Sequence, residues 1–171
     1  MPRKALSIRS AVVIVPVLAA VVVAAFFLYL RSTDEPLNPV EVRTTTNEGL
    51  ALILSLDRTR FRVNEAFTVN LTLVNTSPDP IAFRTRTSQL FDVILGSRVP
   101  DISYSWSQDQ VFAEVVTPYV LHENGSISRE ISWRIPLKAG EAIISGSTVN
   151  LDLNGHGIGI TTPRVPITVI D

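Results

Sequence analysis

Residues 67 to 73 read FTVNLTL, with Phe67, Val69, Leu71 and Leu73 alternating with Thr68, Asn70 and Thr72. An apolar side chain at every second position gives an extended chain one oily face and one wet face, the pattern of a half-buried strand. Upstream, Leu50, Leu52, Leu54 and Leu56 keep the same period. Downstream, further candidate strands lie at 81–85, 89–95, 102–107, 111–116, 126–135, 142–151 and 165–170, separated by turn clusters such as Asn75-Thr76-Ser77-Pro78-Asp79-Pro80. No helical period follows residue 30. About seven to nine short strands at ~8–12-residue spacing predict an all-β, immunoglobulin-like antiparallel β-sandwich. A parallel sheet is not expected, because it needs crossover helices.

Ahead of the strands lies a different text. Residues 11–30, AVVIVPVLAAVVVAAFFLYL, carry no charge, and at helical rise such a run covers ~30 Å, the hydrocarbon thickness of a bilayer. It predicts one N-terminal transmembrane helix in contact with the lipid bilayer. Arg3, Lys4 and Arg9 precede it with no acidic residue, and Asp34 and Glu35 follow it, so the N-terminus is expected inside and the C-terminal bulk outside. Bulky residues at 26–30 offer no signal-peptidase site, which makes the run a signal anchor. Ala20 and Ala24 form a small-x-x-x-small pair suited to packing against another helix, with plain lipid contact as the simpler alternative. The expected organisation is a basic cytoplasmic N-terminus at 1–10, the helix at 11–30, an extended linker at 31–48 and an extracytoplasmic domain at 49–171, placing the protein at the cytoplasmic or plasma membrane as a single-pass chain.

The chain has 15 Lys and Arg against 16 Asp and Glu; four of the basic residues and none of the acidic ones fall in residues 1–31, leaving 11 against 16 beyond them, a net charge of −5. That balance lacks the basic footprint of a nucleic-acid binder. There is no cysteine, which excludes disulfides, a thiolate nucleophile and Cys-ligated metal.

The middle of the chain carries a more specific pattern. Ser88-Gln89-Leu90-Phe91-Asp92-Val93-Ile94-Leu95 contains a Gln-x-aromatic-Asp strand; Tyr104-Ser105-Trp106-Ser107 and Phe112 follow, then Leu121-His122-Glu123-Asn124-Gly125, Trp133, Leu137-Lys138-Ala139-Gly140 and Gly146. Over about residues 67–150 these positions resemble the BsuPI-type intracellular proteinase inhibitors, small all-β domains. The resemblance implies inhibition of a cytoplasmic serine protease, a partner that an anchored, exported domain does not meet. It points to no inhibitory loop. Phe91, Trp106, Phe112 and Trp133 read as scaffold aromatics within the core, and Asp92 as an acceptor for backbone donors near a strand end.

Signals for chemistry are sparse. His122 and His156 are too far apart for a two-His metal motif, and no nucleophile elbow is present. Asp152-Leu153-Asn154-Gly155-His156-Gly157-Ile158-Gly159 places oxygens at alternate positions but lacks the third acid and distal Glu of a calcium loop, so it reads as a glycine-rich hairpin. No catalytic residue, metal or cofactor is expected. Asn70, Asn75 and Asn124 head Asn-x-Ser/Thr triplets, acceptors for N-linked glycans where exposed on an exported domain. Arg58, Arg60 and Arg62 alternate, as on a solvated strand edge. The expected function is a non-catalytic protein-binding module, with an extracytoplasmic protease or another protein as partner and with contacts from loops 96–101 and 154–159. Alternatives are an accessory single-span subunit of a membrane complex, or, from Arg9-Ser10 before the apolar run, a pilin-like subunit of an archaeal filament.

Overall fold

The computed structural model describes residues 39–97 and 102–171. Thirteen strands and one short 3-10 turn are present among them. In chain order these are β1 (Val40–Thr45), β2 (Leu50–Leu56), β3 (Arg60–Arg62), β4 (Ala66–Asn75), β5 (Ile81–Thr85), β6 (Phe91–Ser97) and β7 (Ile102–Ser105), then the turn (Trp106–Asp109). β8 (Thr117–Leu121), β9 (Ser126–Arg134), β10 (Gly140–Thr148), β11 (Leu151–Leu153), β12 (His156–Ile158) and β13 (Val165–Ile170) complete the order.

They form three sheets, with strand orders β1-β2-β4-β9, β3-β13-β10-β6-β7 and β12-β11-β5-β8. The alternation around residue 70 sets the first sheet. In register, Leu54 lies opposite Leu71 and Leu71 opposite Arg129, while Leu56, Val69 and Ile131 make the next row. All of these apolar residues are buried. The second sheet supplies the facing layer: Val93 pairs with Gly146, Leu95 with Ile144, and Ile144 with Val165. The two layers meet closely at Gly146, where a Cβ would overlap Leu71 Cδ2. A glycine is required there for the sheets to approach. Ile81, Phe83, Leu121, Leu151 and Leu153 of the third sheet join the same core cluster. At one end Phe61, Phe67 and Trp133 stack in sequence, with ring centroids 5.3 and 6.2 Å apart, and Arg58 lies over Phe61.

The expected fold is corrected in several respects. The strands at 81–85 and 165–170 stand where the alternation put them, but the architecture has three sheets, and β1 occupies part of the segment expected to be an extended linker. One pairing is parallel, β3 with β13, and it needs no crossover helix because the connection between them is made by the strands β4 to β12. Arg60 and Arg62 flank the buried Phe61 on that edge. The transmembrane helix is withdrawn from the fold: no helix among the described residues is long and apolar enough to cross a membrane. The hydropathy of residues 11–30 was its sole basis, and that run, with Ala20 and Ala24, lies outside the described residues.

Candidate functional site

Strand alternation along β6 sends Phe91, Val93 and Leu95 into the core and turns Asp92 to the opposite face, yet Asp92 is only 8% exposed. Four donors converge on its carboxylate. Oδ1 accepts from the Val93 and Ser107 N–H groups at 2.8 and 3.1 Å, and Oδ2 accepts from the hydroxyls of Ser105 and Ser107. A buried carboxylate needs such satisfaction, and here the donors come from both the end of β7 and the 3-10 turn. Trp106, between the two serines, is thereby held with its indole buried.

Trp106 is the middle of a stack. The Arg129 guanidinium lies 5.1 Å from its ring centroid, and the Phe112 ring meets it edge-on at 5.9 Å. Arg129 lies opposite Leu71 on β9 but is itself exposed, so its guanidinium covers the aromatic face from the solvent side. Phe112 in turn fixes the chain that follows the turn. Gln110 N–H donates to Ser107 O at 3.1 Å, and Ser88 grips Ala113 twice: Ser88 N–H donates to Ala113 O at 2.9 Å and Ser88 Oγ accepts from Ala113 N–H at 3.0 Å.

From Gln110 to Val116 the chain belongs to no sheet, although a strand is expected at 111–116 from the sequence. A strand needs a ladder, and here the Ala113 backbone groups are taken by the Ser88 clasp. Only Phe112 turns inward. The exposed large hydrophobic residues of the described chain are Val111, Val115, Val116 and Val120, all within this segment and the edge strand β8 that continues it. Val120 also borders an open groove on the third sheet, lined by the stacked Phe83 and Tyr119 and by the Arg84–Asp152 ion pair at 3.1 Å.

The residues singled out from sequence are scattered. Phe91 and Trp106 are buried; Phe112 and Trp133 are half-buried against the core. Asn70 is exposed on β4, opposite Glu130 and Ser55. Asn75 is fully buried: its Nδ2 donates to Asp79 O and Leu121 O at 2.8 and 2.9 Å, and its Oδ1 accepts from Ser77 N–H at 2.8 Å. Asn124 occupies a turn with φ of 57°. Residues 154–159 include the Asn154-Gly155 turn between β11 and β12, both residues at positive φ, with Asp152 Oδ1 accepting from Gly155 N–H at 2.8 Å. Of the loop at 96–101, Gly96 and Ser97 belong to β6 and residues 98–101 lie outside the described residues. Among the described residues no three His, Cys, Asp or Glu side chains gather as metal ligands. Sequence does not reveal the segment at 110–116 as a site, because an apolar, β-prone run reads the same whether it is paired in a sheet or left as a loop.

Comparison with known proteins places these features. A family model described as BsuPI, intracellular proteinase inhibitor, matches residues 54–150, a span that contains the Asp92 network, the Trp106 stack and the valine-rich segment. No curated protein sequence matches. Among solved structures, a β-glucosidase from Listeria innocua in complex with glucose is 12% identical over 70% of this chain, with a TM-score of 0.39, and this chain spans 16% of the length of that enzyme. The C-terminal domain of wzt is 9% identical over 81% of this chain and 83% of its own, with a TM-score of 0.43. The family description as intracellular overturns the extracytoplasmic, membrane-anchored placement expected from residues 11–30. Over more than half of its length the chain belongs to the BsuPI family of proteinase inhibitors, and it is not an enzyme.

Proposed function

We propose that this domain is a protease-binding module that inhibits through the segment from Gln110 to Val120. The carrying observation is that every exposed large hydrophobic residue of the described chain, Val111, Val115, Val116 and Val120, falls within ten residues of sequence. Exposed apolar side chains concentrated in one stretch mark a contact surface, whereas isolated ones need no explanation. The segment is also preorganised: the Trp106–Phe112 contact and the Ser88 clasp hold it before a partner arrives. Such tethering lowers the ordering cost of binding and so raises affinity without new contacts. The conserved chemistry of catalysis is not needed, because an inhibitor works by occupying a cleft.

The test is a titration of purified full-length protein against subtilisin, elastase, chymotrypsin and trypsin with peptide substrates. Stoichiometric, reversible inhibition of at least one enzyme is expected. Phe112→Ala, which frees the segment while leaving the valines in place, should weaken that inhibition by about tenfold or more, the loss expected when a preorganised contact must be ordered on binding. Absence of inhibition across the panel refutes the proposal.

A further inference from the structure

The following rests on the protease-binding function proposed above and specifies its target. Val111 is 100% exposed, twice the exposure of Val115 at 50%. Both of its neighbours are held: Gln110 through its N–H to Ser107 O, and Phe112 through its ring against Trp106. Gln110 has an extended backbone, with φ of −115° and ψ of 153°. Neither Val111 nor Phe112 makes a backbone hydrogen bond to the other described residues. Beyond the extended Gln110 the molecule therefore offers two residues with unpaired backbone groups, the first of which displays its side chain fully to solvent.

An exposed side chain on unpaired backbone is what a protease cleft can engage. The enzyme pairs with an extended backbone as if adding a strand, and it selects one side chain in a primary pocket. The pocket chemistry follows from the side chain displayed. Valine has no charge to meet the carboxylate of a trypsin-like pocket, and it underfills the deep hydrophobic slot of a chymotrypsin-like one. Its compact branched side chain matches a shallow apolar pocket. We infer that Val111 enters the primary specificity pocket of a serine protease of elastase-like preference, with Val115 and Val116 covering the rim of the cleft. Ala113 stays on the inhibitor side, because both of its backbone groups are bound to Ser88.

Full-length wild type, Val111→Arg and Phe112→Ala are compared against elastase and trypsin. Wild type should inhibit elastase about 100-fold better than trypsin, and Val111→Arg should reverse the preference, gaining about 100-fold on trypsin, as expected when a pocket's charge is matched or left unmatched. The Arg variant should melt with wild type, since position 111 has no packing to lose. If Val111→Arg leaves both inhibition constants within about threefold of wild type while Phe112→Ala weakens them, Val111 is not the pocket residue and the protease-binding function still stands. Wild type that favours trypsin also overturns the assignment. Wild type that inhibits no protease overturns both.

Discussion

Replacing Asp92 by alanine should strongly destabilise this domain. The carboxylate is 8% exposed and accepts from two backbone N–H groups and two hydroxyls. The hydroxyls of Ser105 and Ser107 lie 2.8 Å apart and can re-pair with each other. The Val93 and Ser107 N–H groups have no such recourse. An orphaned buried donor costs about 1–3 kcal/mol, so two of them, with Ser107 partly reached by water, give about 3–4 kcal/mol. Against a total stability of ~5–15 kcal/mol this is a large share. Asp92→Asn separates acceptor loss from charge loss: its amide oxygen still takes both N–H groups and its NH2 can donate to the serines, so it should cost only about 1 kcal/mol. Urea denaturation of the full-length protein, followed by the fluorescence of Trp106 and Trp133, measures both. Hydrogen exchange should quicken at 107–116 in Asp92→Ala, because Ser107 anchors Gln110 and Trp106 anchors Phe112. The reasoning fails if Asp92→Ala costs under 1 kcal/mol, or if Asp92→Asn costs as much as Asp92→Ala.

Two further outcomes follow from packing. Asn75→Ala removes a fully buried amide that bridges Asp79 O, Leu121 O and Ser77 N–H, and should lower stability by about 2–4 kcal/mol in thermal or urea unfolding, with the joint between β4 and β8 loosened first. Leu71→Ala should cost about 3–5 kcal/mol through the cavity it leaves and Gly146→Ala about 1–3 kcal/mol through overpacking, but the double variant should be more stable than their sum, because the new methyl enters the space that Leu71 vacates. Strict additivity in a double-mutant cycle would show that the two sheets do not meet at this pair.

Alternation along 67–73 was enough to identify β4, its buried face and the all-β class, and the strands at 81–85 and 165–170 were legible to the residue. Those properties are local: a period of two, bounded by turn residues, requires no knowledge of the partner. The motif from Ser88 to Phe112 was likewise visible, and so was the resemblance that it carries. What alternation could not say is whether an extended segment has a ladder. Residues 111–116, Val-Phe-Ala-Glu-Val-Val, have the composition of a strand, yet Ser88, about 25 residues away, takes the Ala113 backbone groups and leaves the valines to solvent. Asp92 shows the same division. Its place on β6 assigns it to the outer face, and only the approach of Ser105 and Ser107 from another strand and a turn makes that position buried and satisfied. The exposure of the valine-bearing segment is therefore a product of tertiary contacts, because burial and hydrogen-bond pairing depend on what the chain brings alongside a residue as well as on the residue itself.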